Sequence, residues 1–506
     1  MQRSLAARRR RTAAVVLAVA TLALAACTDT GRLDAGPSAS AAQERDFPAV
    51  YAQTIDWRAC GEDDGLSARV TESLARHGTT VGGFRCATIA APLDWNDPGN
   101  RETIGLAVVH IPATGDAPIG TLFTNPGGPG AEDLAFVYGL MAGKGFDRIR
   151  ERYDLLAVDP RGVGRSTPVV CDSTSTIREV QVSACAAANP VARTMGTSQV
   201  ARDLELLRAL MKDDRLHYLG YSYGTALGAT YSTLFPERVG RMVLDSAIGS
   251  EWATPIGAFR QEKAFAEQVV SLVEGCGVVY RVDPCPFASE DALVAEMARL
   301  TATPLIASDG TTVDGAAMYE SLASALYGGT PGREAALDTA ARALRGDQAA
   351  IDEVAKAKSG DLGAAGQLVM CHSFPRDPDI PGLVREIEAS GIPRVLGGPA
   401  VDDTTLRRFV DLFCDALPFS GDDLAGPFSG SPDAPILVIG VMGDPATPYA
   451  AAQRLVDELG DARLLTLDGS VHGVSFFGRS TCVTDAATAY LLDGVLPAEG
   501  TVCASD

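Results

Sequence analysis

The chain predicts an α/β fold: eight strands in a mostly parallel sheet, helices on both faces, and a large helical cap inserted between the sixth and seventh strands. Three observations carry this. Short continuous apolar runs recur, as strands buried on both faces require. Helical periodicities lie between them, the alternation of a covered parallel sheet. The alternation stops from about Ala247 to Ser431 and then resumes for two last strands.

The first two runs, Cys86–Trp95 and Thr103–Pro112, lie close together and predict an antiparallel pair. Gly120–Asn125, Tyr153–Asp159, Leu216–Tyr221 and Arg241–Ser246 follow, and Ala434–Val441 and Ala462–Gly469 complete the sheet. Between them, "TSQVARDLELLRALMK" puts Val200, Leu204, Leu207 and Met211 on one helical face, with Ser198 as its N-cap. The interrupting stretch holds helical patterns such as "GAAMYESLASALYG". A separate second domain is the alternative, but the sheet is incomplete without its last two strands.

The first 26 residues are a targeting segment. Arg3 and Arg8 to Arg11 precede an apolar run from Ala13 to Ala25, too short to span a bilayer. The run ends in Leu24-Ala25-Ala26-Cys27, which resembles a bacterial lipobox, so Cys27 is the expected lipidated first residue of an outward-facing membrane lipoprotein. Ordinary secretion is the alternative. Residues 27–49 are polar and small and predict a flexible tether. The divisions are then 50–246 and 432–506 for the two parts of the sheet domain, and 247–431 for the cap.

At 506 residues and 46% apolar, the chain can bury a large core. Its formal net charge of −21 excludes a nucleic-acid partner. Setting Cys27 aside, the cysteines fall in neighbouring pairs: Cys60 and Cys86, Cys171 and Cys185, Cys276 and Cys285, Cys371 and Cys414, Cys482 and Cys503. In an exported chain these predict disulfides. There is no CxxC, and five histidines are scattered, so no metal site is expected. Nothing calls for an organic cofactor, and the oligomeric state is not legible.

Gly220-Tyr-Ser-Tyr-Gly224 is loose as a pattern, but its setting is specific. An apolar strand ends at Tyr221, and small residues open a helix behind Ser222: the strand–turn–helix context of a nucleophile elbow. A serine hydroxyl needs a base. Of the histidines, only His372 and His472 follow Ser222. His472 lies just past the last strand, whereas His372 lies within the cap and reads as a packing residue. His77, His110 and His217 come too early, and His217 is within the nucleophile's own strand. The acid expected after the seventh strand is Asp444, in a Gly-Asp-Pro turn, with Asp245 as runner-up. Phe123–Gly130 ("FTNPGGPG") follows the third strand and can present bare N–H groups. Gly128, with Gly127 close behind, and Tyr223 are the predicted oxyanion donors.

Together "NPGGPG", "DPRGVGRS", "GYSYGT" and "GDPATPYAAA…VHG" resemble the secreted tripeptidyl aminopeptidase-like α/β-hydrolases of actinobacteria, relatives of the prolyl aminopeptidases. Mycobacterial lipoproteins described as carboxylesterases or serine proteases are similar too. The resemblance spans about Cys60 to Cys503. It implies release of short peptides from a free N-terminus through an acyl-enzyme, with Ser222, Asp444 and His472 as the triad. The chain departs from the family at Ala131-Glu132-Asp133 and at Val471 before the base. Such an enzyme needs a carboxylate for the substrate's ammonium, and Glu132, Asp133 and Glu251 are the candidates. A carboxylesterase or lipase on the same machinery is the second reading, and a non-catalytic binding lipoprotein the third.

Overall fold

The computed structural model describes residues 38–506 except 144, 176, 358–361, 408, 411–412, 422 and 425. The targeting segment and Cys27 lie outside the described residues.

The strands are β1 (Arg58–Ala59), β2 (Arg85–Pro92), β3 (Thr103–Ile111), β4 (Gly120–Asn125), β5 (Tyr153–Val158), β6 (Leu216–Tyr221), β7 (Val239–Asp245), β8 (Leu305–Ile306), β9 (Thr312–Val313), β10 (Ile436–Val441), β11 (Ala462–Asp468) and β12 (Val502–Ala504). All but β8 and β9 form one sheet of 10 strands in the order β1-β2-β3-β5-β4-β6-β7-β10-β11-β12. The pairs β1–β2, β2–β3 and β3–β5 are antiparallel, and every other pair is parallel. β10 is buried at every position, as its unbroken apolar run requires.

The expected eight strands are all present, and the count is corrected to 10 by β1 and β12 at the two edges. At two and three residues, these are too short to leave a periodic signal. Each lies beside a cross-link: Cys60 follows β1 and bonds Cys86 of β2, and Cys503 of β12 bonds Cys482. The other disulfides are Cys171–Cys185, Cys276–Cys285 and Cys371–Cys414. All five join sequence neighbours.

The tether expected over residues 27–49 is corrected at its end. Ala39–Asp46 is a helix, and the Ser40 hydroxyl donates to buried Glu205 at 2.5 Å. Phe47 packs edge-on against Trp95, with ring centroids 4.9 Å apart. Low hydropathy hid a segment whose order comes from tertiary contacts.

The insertion between β7 and β10 divides by packing. Phe259, Leu272, Leu322, Leu337, Ile351 and Leu383 belong to a core of its own. Leu368, Val369, Leu417 and Phe419 instead join the core beneath the sheet's helices. Ser198 is not the N-cap of helix Thr197–Met211: Gly196 is. Asp423, from the end of the insertion, accepts the Thr197 and Ser198 N–H groups at 2.6 and 2.9 Å. A carboxylate at a helix N-terminus meets both the bare donors and the helix dipole.

β4, β6, β7, β10 and β11 run parallel, so their carboxyl ends share one edge of the sheet. The chain order turns back between β4 and β6, which makes a crevice at that edge. Gly127, Ser222, Ser246, Asp444 and His472 all lie in loops leaving this edge.

Candidate active site

Ser222 follows the last residue of β6 and precedes helix Tyr223–Leu234, with φ 54° and ψ −126°. That left-handed backbone is strained for a side-chain-bearing residue and is found where function requires it. The flanking glycines are obligatory. A Cβ on Gly220 would fall 2.6 Å from the Gly224 carbonyl, and one on Gly224 would fall 2.6 Å from the Asn125 carbonyl. The Ser222 N–H donates to the Asp245 carbonyl at 3.0 Å, tying the elbow to β7.

The imidazole of His472 is held from its Nδ1 side. Nδ1 lies 2.9 and 3.1 Å from the two Asp444 oxygens. Asp444 is buried and has further donors: the N–H groups of Ala446 and Thr447 at 2.9 Å each, and the Thr447 hydroxyl at 2.7 Å. Burial pushes the carboxyl upward, but the charge and hydrogen bond of His472 and the donors of Thr447 outweigh it. The net direction is below the usual carboxylate range. Asp444 is therefore a carboxylate accepting from Nδ1–H, and Nε2 is left as the basic atom.

Asp245, the runner-up acid, does other work. Its carboxylate accepts the N–H groups of Val474 (3.2 Å) and Ser475 (2.6 Å) and the Ser475 hydroxyl (2.5 Å). It anchors the turn behind His472. Next to it, the Ser246 hydroxyl accepts the Gly473 N–H at 2.7 Å.

After β4, the Gly127 N–H is spent on the Asn125 side chain at 2.9 Å. A Cβ on Gly127 would meet the Tyr221 carbonyl at 2.5 Å and the Tyr223 nitrogen at 2.9 Å, so this loop presses on the elbow itself. Gly128, Ser222 and Tyr223 line one cavity of about 270 Å³ under the cap. Among the described residues, no backbone acceptor takes the N–H of Gly128 or Tyr223. The Tyr223 side chain points away, its hydroxyl 2.9 Å from that of Thr197 and its ring edge-on to Trp252.

The three acids considered for an ammonium separate. Asp133 is fully buried, accepting from the Thr124 hydroxyl at 3.0 Å and the Val158 N–H at 3.1 Å. It is a structural residue, and burial pushes its carboxyl up. Glu132 pairs with Arg165 at 3.1 Å and does not line the cavity. Glu251 does line it, held between Arg260 (2.5 Å) and Arg454 (2.9 Å). Sequence reasoning missed Glu262 and Glu320, which line the same cavity from two cap helices, because nothing in the sequence places those helices over Ser222. It also missed Thr447, although its position three residues after Asp444 in a Gly-Asp-Pro turn is the spacing at which an Asp side chain is capped.

His372 is buried, 2.9 Å from the Ala192 carbonyl and stacked on Phe419. His217 accepts the Arg241 N–H on Nδ1 at 3.0 Å, and burial and two arginines push its pKa down to about 4. Neither reaches the cavity.

Strand order, elbow and buried acid–imidazole pair define an α/β-hydrolase-fold serine hydrolase. Residues 120–268 match the family described as alpha/beta hydrolase fold, and residues 399–503 match the one described as TAP-like protein. The chain is 29% identical over 469 residues to the serine protease Hip1 of Mycobacterium tuberculosis, covering 83% of this chain and 88% of that one. It is 28% identical over 464 residues to carboxylesterase B of the same organism, covering 83% and 86%. It is 27% identical over 492 residues to the tripeptidyl aminopeptidase of Streptomyces lividans, covering 89% and 86%. The chain is thus similar over most of its length to a serine protease, a carboxylesterase and a tripeptidyl aminopeptidase, and its five disulfides suit an exported enzyme.

Proposed function

We propose that the chain is a serine exopeptidase that releases short peptides, tripeptides in the first instance, from free N-termini. Ser222 Oγ attacks the scissile carbonyl while His472 Nε2 takes its proton. The Gly128 and Tyr223 N–H groups hold the oxyanion, and Asp444 stabilises the imidazolium. The C–N bond then breaks, and His472 gives its proton to the leaving amine. Water, deprotonated by His472, frees the acyl-enzyme as a peptide carboxylate and restores the Ser222 hydroxyl.

The observation that carries the exopeptidase reading is the roofed cavity over Ser222, walled by Trp252, Phe265 and Tyr327 and carrying the acids Glu251, Glu262 and Glu320. A cavity beneath the cap that combines aromatic walls with acids suits the free ammonium end of a short peptide. One of these acids receives the ammonium in this reading.

The test compares free-amine tripeptide anilides, their N-acetylated forms and short acyl esters. Preference for the free amine supports the peptidase. Equal cleavage of acetylated and free peptides overturns the ammonium anchor, and turnover of esters alone favours the second reading, a carboxylesterase. That second reading is kept because a carboxylesterase is as similar to this chain as the peptidases are. A lipid anchor on Cys27, holding the enzyme to the outer face of the membrane, is part of the proposal. Globomycin-sensitive processing and its loss in Cys27→Ser check it.

A further inference from the structure

Two arginines that take no part in the triad meet at the loop carrying His472, one from each side of the seam between cap and sheet domain. Arg479, from the sheet domain, donates through Nη1 to the carbonyls of His472 and of Gly473 (2.7 Å), and through Nη2 to the carbonyl of Tyr327 in the cap at 2.9 Å. Arg333, from cap helix Thr330–Leu344, donates through Nη2 to the carbonyls of Ser470 and of Leu326 (3.1 Å). Its Nη1 reaches the Tyr280 hydroxyl at 3.1 Å. Each guanidinium thus spans one of two adjacent cap carbonyls and the base loop. For Arg479 the planar fork suits this, since its base-loop and cap acceptors are met by two different terminal nitrogens.

Both are firmly seated. Arg333 is buried, and Arg479 sits beside Ser480, the N-cap of helix Thr481–Asp493, one turn of which is cross-linked through Cys482. The Arg479 guanidinium also lies 5.6 Å from the Phe477 ring centre. Ser470, between the arginines, donates to Gln268 of the cap at 2.5 Å. The Tyr327 ring stands edge-on to the imidazole, centroids 5.5 Å apart. The main chain on both sides of His472 is therefore fastened to the cap, while Asp444 fixes only its ring.

We propose that Arg479, supported by Arg333, is a positioning residue for the catalytic base, so that the seating of the cap sets the reach of His472 toward Ser222. This rests on Ser222 and His472 acting as nucleophile and base. Misplacement of a reacting group by about 1 Å costs up to ~100-fold in rate, so loss of the fork is read in chemistry rather than in substrate affinity.

The experiment measures the rate of fluorophosphonate labelling at Ser222, with kcat and KM on a short acyl ester, for Arg479→Met, Arg333→Met and the double variant. Labelling and kcat fall by roughly 10- to 100-fold in Arg479→Met with little change in KM. Arg333→Met shifts them in the same direction, and the double variant loses less than the sum because both hold one loop. Guanidinium restores labelling in Arg479→Ala, and ammonium does not. A folded Arg479→Met that labels at the parental rate overturns the proposal. Should Arg479→Met fail to fold, Arg479→Lys and Arg333→Met carry the test, and parental labelling in both overturns it. A parental enzyme that does not label overturns the serine hydrolase reading instead.

Discussion

Asp245 holds Ser222 by its main chain: the serine's N–H donates to the Asp245 carbonyl at 3.0 Å, while the carboxylate of the same aspartate holds the turn behind His472. The loops of Ser222 and His472 thus share one buried residue at the end of β7. Asp245→Asn replaces one of the two acceptor oxygens by an NH2, which then faces the Val474 or the Ser475 donors. It destabilises the fold by roughly 1–3 kcal/mol and slows labelling of Ser222. Urea unfolding alongside fluorophosphonate kinetics checks both, and an unchanged midpoint with parental labelling contradicts the role.

Asp444→Asn keeps the shape of the site but offers His472 the wrong hydrogen-bond polarity. The ring then settles in the tautomer that cannot take the serine proton, and kcat falls by about 10³- to 10⁴-fold. KM moves little, because Asp444 touches no substrate. Ser222→Ala abolishes labelling altogether.

Thr447→Val removes only the hydroxyl that donates to Asp444 at 2.7 Å. One hydrogen bond to a charged group is lost, so kcat falls by roughly 10-fold. Thr447→Ser retains the donor and the rate. If valine and serine behave alike, the hydroxyl is not what holds the acid.

Gly224→Ala forces a Cβ to within 2.6 Å of the Asn125 carbonyl, a rigid main-chain neighbour. The elbow and the oxyanion loop must separate. The expected result is destabilisation by about 1–3 kcal/mol and loss of activity beyond what the melting temperature explains. Gly139→Ala, with nothing within 4 Å of the new methyl, is the matched control.

His217 carries a pH dependence of stability. Its folded-state pKa, pushed down to about 4 by burial and nearby arginines, lies below the 6.5 of an unfolded chain. Between those values the unfolded state binds more protons, so stability rises with pH and is lost on acidification from 6.5 toward 4. The loss amounts to at most ~3 kcal/mol. Unfolding midpoints at pH 7 and pH 4.5 differ less in His217→Gln than in the parent if this histidine is responsible.

The eight principal strands were legible because each is a continuous apolar run, and Gly120–Asn125 and Leu216–Tyr221 match to the residue. The placement of Ser222 at an elbow, with Asp444 and His472 in later loops, was legible because that chain order is itself a one-dimensional signal. Asp133 misled: it follows the oxyanion loop in sequence, but it turns inward to Thr124 and the Val158 N–H, a direction no periodicity reports. Glu262 and Glu320 were invisible for the opposite reason, being ordinary helix-surface acids until the cap is laid over the crevice.

The sequence by itself determined the eight principal strands, the elbow, the chain order of Ser222, Asp444 and His472 and the pairing of neighbouring cysteines. Each depends on hydrophobic period, on glycine at a tight turn, or on short loop closure, and all of these are local. Only the tertiary structure decided that Asp245 holds the turn behind His472 and which acids face the cavity. It alone brought Arg333 and Arg479 together across 146 residues of chain to the carbonyls of Leu326, Tyr327, Ser470 and His472. Main-chain carbonyls carry no residue identity, so contacts made to them leave no mark in the sequence that makes them.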